Sequence, residues 1–345
     1  MRQCIPLSTQ LFISKGHLVF KNALIYRIAP TWTADLELME VGLESARYVE
    51  CGASQEKAVG WTEPRGEANG ALAESVAGQI MLKFMVEVKA VPSSVVNRKA
   101  REELSKIEAA TGRKPGKRET KEIKEDIKLS LMPLAFTKIS SVLVWIDAKA
   151  QLLTIGASST GKADEVITYL VKCLESFSVT PLNTQLSCAV AMADWLATQA
   201  PPAGFSIDRE CELKSPDESK AVVRYSRHAL DIEEVSAHIT SGKVPTKLAL
   251  TWMDRVSFLL TDTLQIKKIA FLDGVFDGNS QEKEDGFDAD TAIATGELRQ
   301  LIPELLTALG GEMSIDSPVD SPVDSPVDSP VDSPVDSPVD SPISA

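Results

Sequence analysis

The sequence predicts an α+β fold in which antiparallel sheets pack against helices and one helical hairpin protrudes. Predicted strands and helices do not alternate strictly, and several neighbouring strands are separated only by short turns, as in antiparallel sheets. Apolar residues make up 43% of the 345-residue chain, which is sufficient for substantial cores. The length predicts two or three structural units.

The N-terminal half contains predicted strands and amphipathic helices. Thr33 is placed to cap the first helix, because its hydroxyl can accept a hydrogen bond from the first helical N–H groups. Lys149 and Ala150 are predicted to form the turn of a strand hairpin. The predicted elements are strands over 20–28, 79–91, 139–147 and 152–155, and helices over 33–48 and 160–176.

After Pro181 a new series of predicted helices and strands begins, which predicts a second structural unit. Its last helix ends at Gly310 and Gly311, and glycine commonly follows a helix C-terminus. The predicted elements are helices over 188–199, 232–241 and 289–309, and strands over 205–214, 221–227, 247–260 and 264–272.

Residues 92–133 concentrate positive charge on the predicted hairpin, although the whole chain is acidic. Between Arg98 and Lys128 there are eleven Lys and Arg against seven Asp and Glu, whereas the chain has 36 basic and 49 acidic residues. A locally basic element on an acidic body indicates an anion-binding surface, and nucleic acid is the commonest large anion.

On a helix from Lys117 to Leu134, apolar and charged residues separate into stripes. The apolar stripe consists of Ile123, Ile127, Leu131 and Leu134. The predicted nucleic-acid-contacting residues are the basic ones of the turn and of the neighbouring lysine stripe, namely Arg113, Lys114, Lys117, Arg118, Lys121, Lys124 and Lys128. The alternative is a solvated hairpin whose Glu–Lys pairs only maintain solubility.

The composition divides the chain into five segments. They are an N-terminal extension (1–18), a central α+β domain (19–91 with 134–180), the helical finger (92–133), a C-terminal α+β base domain (181–312) and a tail (313–345). From Asp316 the tail repeats Asp-Ser-Pro-Val six times. A proline at every fourth residue opposes helices and sheet ladders, so we predict an extended, disordered tail.

Several function classes are disfavoured. Five scattered cysteines without a Cys-x-x-Cys motif favour reduced thiols in a cytoplasm over a disulfide framework or a zinc site. The sequence contains no run of about 18 apolar residues, so no membrane span is predicted. The N-terminus is a poor signal peptide. The acidic residues between Asp273 and Asp290 lack the spacing of a calcium loop, which favours a solvated acidic loop. We find no catalytic constellation, so the sequence predicts neither an enzyme nor a cofactor.

One motif supports a different hypothesis, a nucleotide-binding enzyme. Gly156–Ala163 nearly matches the phosphate-binding loop G-x-x-x-x-G-K-[ST] between a predicted strand and a predicted helix. Ala163 stands where the motif needs a hydroxyl for Mg²⁺, and the preceding strand belongs to a predicted antiparallel hairpin. A glycine-containing turn with Thr160 as the helix cap is the favoured interpretation.

A second basic region begins at Lys243 and Lys247, ahead of an apolar strand. Phosphate contact and an ordinary strand surface are equally compatible with these residues.

An ordered series of short motifs between Val19 and Glu312 resembles the RdgC family of bacterial recombination-associated proteins. The motifs are Phe20-Lys21-Asn22-x-x-x-Tyr26-Arg27, Gly60-Trp61, Gly78-Gln79-Ile80, Leu131-x-Pro133-x-Ala135-Phe136, Trp145-Ile146-Asp147, Gly242-Lys243-Val244, Thr246-Lys247-Leu248-Ala249-Leu250-x-Trp252 and Thr295-Gly296-Glu297-Leu298. No single motif is specific, but their order is. Residues 1–18 and the tail fall outside the resemblance.

The resemblance implies a horseshoe-shaped subunit that forms a ring-shaped homodimer around double-stranded DNA. It implies little sequence preference, a nucleoid-associated location and restraint of the RecA recombinase through competition for DNA. Lys243 and Lys247 would face the DNA channel. Subunits would meet near Phe136 at one end, and we assign the second contact, in the C-terminal half, to Arg227 and His228.

Overall fold

A computed structural model describes residues 20–272, 275–276 and 286–313. Predictions for the N-terminal extension, for the Asp-Ser-Pro-Val repeats and for much of the acidic loop lie outside these residues. The helices of the described part are α1 Leu36–Glu44, α2 Ser93–Thr111, α3 Lys117–Leu131, α4 Thr160–Cys173, α5 Cys188–Thr198, α6 Glu233–Thr240 and α7 Gly286–Ala308. None of these helices combines the length and apolar character needed to cross a bilayer.

The strands pair into one antiparallel sheet, so the predicted α+β class with antiparallel pairing is confirmed. The strands are β1 Asn22–Ile28, β2 Lys57–Thr62, β3 Glu74–Val76, β4 Gln79–Ala90, β5 Phe136–Asp147, β6 Leu152–Ile155, β7 Val179–Pro181, β8 Phe205–Lys214, β9 Val222–Ser226, β10 Val244–Trp252, β11 Val256–Thr261 and β12 Ile266–Phe271. Their order is β2-β4-β5-β6-β1-β12-β11-β10-β8-β9, with β3 paired to β4 and β7 to β1.

Strand β1 connects the two halves of this sheet. Its Leu24 lies opposite Ile155 of β6, and its Asn22 lies opposite Lys267 of β12. Ala23 and Ile25 belong to one hydrophobic core, and Leu24 and Tyr26 belong to the other. Successive side chains of a strand point to opposite faces of the sheet. The middle of β1, Ala23–Tyr26, is therefore apolar because both of its faces are covered.

The first core also involves α5 and α7, and the second involves α1 and α4. Helix α7 is held to the N-terminal half of the sheet by ion pairs. Arg299 Nε lies 2.7 Å from Oδ2 of the buried Asp147, and a terminal nitrogen of Arg65 lies 2.6 Å from Asp288 Oδ1.

The predicted single strand over 247–260 is wrong, because the chain reverses there between β10 and β11. Met253 and Asp254 form the turn with φ angles of 51° and 53°. Such left-handed turn conformations are dominated by glycine, asparagine and aspartate, and Met253 is none of these. Asp254 is therefore the only local turn signal at these two positions, and it is a weak one.

Other predictions were wrong at element ends or missed short elements. Helix α1 begins after Asp35, not Thr33, and Asp35 Oδ1 accepts hydrogen bonds from the backbone N–H groups of Glu37 (3.0 Å) and Leu38 (3.1 Å). Strands β2, β3 and β7 were not predicted. Two of them have only three residues, too short for a pattern of period two to be detected.

Candidate nucleic-acid interface

Helices α2 and α3 contact each other and are joined by the short segment 112–116. Gly112 ends α2 with a φ of 69°, and its N–H donates to Glu108 O over 2.9 Å. This left-handed conformation suits glycine, which has no Cβ to clash. Only Ala100 is buried in α2, and no residue is buried in α3. Much of the charged surface of both helices is therefore exposed to solvent.

The predicted apolar stripe of α3 ends one turn earlier than expected. Ile123, Ile127 and Leu131 are half-buried, whereas Leu134 is 81% exposed. The reason is Pro133, which has no backbone N–H with which to continue the α-helical hydrogen bonds. Residues Met132–Leu134 form a short 3₁₀ turn instead, so Leu134 points away from the stripe.

The basic residues of the finger differ in whether a carboxylate neutralises them. Lys114, Lys117 and Lys124 are exposed and form no ion pair within the described part of the chain. The other four have partners, in the pairs Arg113–Glu119 (2.9 Å), Arg118–Glu122 (3.0 Å), Lys121–Glu125 (3.7 Å) and Lys128–Glu56 (2.6 Å). Exposed pairs of this kind contribute about 0–1 kcal/mol each, but a phosphate that contacts one of these four residues must first displace its carboxylate.

A groove of about 560 Å³ lies where α2 and α3 meet β4. Lys121, Lys124 and Lys128 line it, together with Lys89, which the sequence did not single out. The Lys89 ammonium donates to the backbone carbonyl of Gly52 over 2.7 Å. The predicted lysine stripe therefore continues onto the sheet.

The two lysines of the second basic region occupy different positions. Lys243 precedes β10, and its Nζ lies 3.1 Å from Nδ1 of His238. Lys247 lies within β10, on the face opposite the core-facing Leu248. Its Nζ donates to Glu212 Oε2 over 2.9 Å, a partner that the sequence did not predict.

Glu212 lies at the centre of a charged cluster on this open face of the sheet. Its Oε2 also accepts from Arg224 Nε over 2.5 Å, and its Oε1 accepts from Thr246 Oγ1 over 2.8 Å. Burial raises the pKa of the Glu212 carboxyl, but hydrogen bonds from Lys247, Arg224 and Thr246 outweigh burial and lower the pKa to about 2. Glu212 is therefore ionised at any working pH.

The sequence missed Glu212 and Arg224 because strand pairing brings them to Lys247 from distant positions. A weak signal was available, since Asp208, Glu210 and Glu212 recur at the spacing of two that marks one face of a strand.

The residues assigned to subunit contacts lie on the surface. Phe136 begins β5 and is 90% exposed. Arg227 and His228 are exposed in the turn after β9, which is the strand at one end of the sheet order. Arg227 has a φ of 56°, and the backbone N–H of His228 donates to Arg209 O over 3.2 Å.

The phosphate-loop-like segment starts after β6, which pairs antiparallel with both β5 and β1. A phosphate-binding loop of the NTPase type instead follows a parallel strand. The N-cap of α4 is Ser159 rather than the predicted Thr160, and its side chain makes no capping hydrogen bond. Lys162 is exposed on the first turn. Within the residues that the structure describes, no group of three or more His, Cys, Asp or Glu could hold a metal ion.

Comparison with known proteins identifies relatives along nearly the whole described chain. Residues 18–312 match the family model described as "Putative exonuclease, RdgC". A recombination-associated protein RdgC from Dechloromonas aromatica is 45% identical over 300 residues, covering 85% of this chain and 98% of that protein. Proteins of the same name from Bordetella pertussis and Herminiimonas arsenicoxydans are 40% and 39% identical, each covering 86% of this chain and 99% of the relative.

The two kinds of name differ in what they say. The family description mentions an exonuclease, whereas the names of these relatives mention recombination and no enzymatic activity. The alignments with these three relatives span 98–99% of the relatives' own lengths. On the length of the match and its identity, the chain belongs to the RdgC family.

Proposed function

We propose that the chain is a non-enzymatic protein that binds double-stranded DNA with little sequence preference and acts in recombination. The lysine-rich surface of α3 carries this proposal, because Lys117 and Lys124 are exposed and have no carboxylate partner among the described residues. Lysines neutralise phosphates whatever the base sequence. The names of the relatives supply the link to recombination.

The dimer proposal rests on exposed apolar side chains at the base of the finger. Phe136 and Leu134, two positions apart in the chain, are 90% and 81% exposed, and a patch of exposed apolar side chains often marks a protein contact. Arg227 and His228 supply the second contact. Two contacts per subunit close two horseshoe-shaped subunits into a ring, and a ring retains DNA without needing strong attraction. Such binding restrains RecA by occupying the DNA that the recombinase needs.

A retention assay tests the ring and the DNA contact separately. The protein is bound to covalently closed circular DNA and to linear DNA of the same sequence, with and without ATP, and both complexes are then washed at high salt. We expect both to form without ATP, and only the circle to retain protein after the wash. Equal release from both contradicts the ring, whereas absence of any complex at low salt contradicts DNA binding.

The exonuclease in the family description is tested on the same linear DNA. Incubation with Mg²⁺ or Mn²⁺ is expected to leave end-labelled duplex intact. Stepwise loss of nucleotides that follows the protein through purification would replace the non-enzymatic proposal.

A further inference from the structure

We propose that Glu212 competes with DNA phosphates for Arg224 and Lys247, so that this one carboxylate sets how tightly the open face of the C-terminal half of the sheet holds DNA. The inference rests on the proposed DNA-binding function, which it deepens by adding a residue of the opposite charge. Glu212 acts through the two cations, so it is a positioning residue.

The geometry of the open face supports the competition. Lys247 Nζ and Arg224 Nε approach the same oxygen of Glu212, at 2.9 Å and 2.5 Å. One carboxylate oxygen thus gathers a lysine from β10 and an arginine from the edge strand β9. A phosphate oxygen is the natural competitor, since Lys and Arg bind carboxylate and phosphate through the same charge-assisted hydrogen bonds.

The exposures of the three side chains explain how they can exchange partners. The Arg224 side chain is 71% exposed and that of Lys247 is 36% exposed, whereas that of Glu212 is only 13% exposed. The carboxylate is held in place by Thr246, but the cations extend toward solvent. A cavity of about 420 Å³ opens beside them and is also lined by Ser226.

A neighbouring lysine on this face is also paired with a carboxylate. Lys268 Nζ donates to both carboxylate oxygens of Glu210, at 2.6 Å and 2.8 Å. Cations and carboxylates therefore alternate across this face instead of forming a purely basic surface. A face with this pattern attracts DNA weakly, because each phosphate contact must first displace a carboxylate.

The experiment measures duplex DNA binding by Glu212→Gln over a range of salt concentrations. Glutamine keeps the size of the side chain and can still accept from Thr246, while one negative charge is removed. If one further phosphate is neutralised, the slope of log K against log salt steepens by about 0.9. The variant's gain in affinity should then be roughly threefold larger at 50 mM than at 200 mM salt.

The control is Asp208→Asn on the same strand and face, because Asp208 accepts a hydrogen bond from Thr251 (2.9 Å) and pairs with no described cation. Its removal reports only the general effect of one charge. The effect of Glu212→Gln should exceed that of Asp208→Asn, and it should disappear in a protein that also carries Arg224→Gln and Lys247→Gln. Equal effects of the two substitutions, or an effect that persists without the two cations, overturn the inference.

Two further outcomes distinguish a failure of this inference from a failure of the proposed DNA-binding function. If wild-type protein binds duplex DNA and Glu212→Gln binds identically at every salt concentration, only the inference is wrong. If the wild type does not bind DNA, the proposed function is wrong and the inference with it. Glu212→Asp, which withdraws the carboxylate by one methylene and keeps its charge, replaces Glu212→Gln if the latter does not fold, and a salt slope equal to that of the wild type then overturns the inference.

Discussion

Removing two unpaired lysines from the finger should weaken DNA binding more than removing two paired ones. The first variant is Lys117→Gln with Lys124→Gln, and neither of these lysines has an ion-pair partner in the described ranges. The matched variant is Lys121→Gln with Lys128→Gln, whose ammonium groups lie 3.7 Å and 2.6 Å from glutamate oxygens. Both variants lose two charges from one helix, and glutamine has nearly the helix propensity of lysine.

The expected magnitude follows from counterion release. Each phosphate neutralised contributes about 0.9 to the slope of log K against log salt, so two unpaired lysines account for about 1.8. Between 50 mM and 200 mM salt this slope change corresponds to roughly a tenfold change in relative affinity. The paired lysines are already neutralised by Glu125 and Glu56, so their removal should change the slope by less than half as much.

Fluorescence anisotropy on two unrelated duplexes of equal length measures both slopes, and circular dichroism verifies the helices. The two duplexes should respond alike, because phosphate contacts carry no base information. If neither variant changes the slope, the finger is the solvated hairpin that its Glu–Lys pairs also predict. If the two double variants lower the salt slope equally, the ion pairs of α3 do not determine which lysines contact DNA.

Four further outcomes are expected. Phe136→Ala should shift the proposed dimer toward looser association in sedimentation without dissolving it, since the second contact remains; a wild-type monomer at micromolar concentration would contradict the ring. Asp147→Asn should lower the free energy of unfolding in urea by about 2–3 kcal/mol, because the buried partner of Arg299 loses its charge; an unchanged midpoint would contradict this. Lys162→Ala should leave DNA binding unchanged, and stoichiometric ATP binding that it abolishes would revive the nucleotide hypothesis. The pKa of the Glu212 carboxyl is about 2 in the folded protein and about 4.3 in an unfolded chain. The ionised carboxylate therefore stabilises the fold fully above about pH 4.3, and this stabilisation is lost as the pH falls through about 2. Glu212→Gln should remove about 1–2 kcal/mol of this acid dependence of the free energy of unfolding, after allowance for solvent screening.

The sequence predicted elements whose signals are local, and the structure bears this out in particular places. The lysine and apolar stripes of the finger depend on helical spacing within one segment, and α3 does occupy Lys117–Leu131. The turn at Met253 and Asp254 has no glycine or asparagine to reveal it. The Lys247–Glu212 pair spans 35 positions, so only strand pairing could bring the two together. Local periodicity carries no information about such long-range contacts.

The central position of β1 restricts how DNA could enter the proposed ring. Because one strand hydrogen-bonds to β6 on one side and β12 on the other, the two halves of the described sheet are joined by strand pairing and not by a flexible hinge at β1. Bending there would break backbone hydrogen bonds and separate both cores at once. A circular DNA without ends must therefore enter where two subunits meet, and the lifetime of the weaker junction would limit the rate of loading.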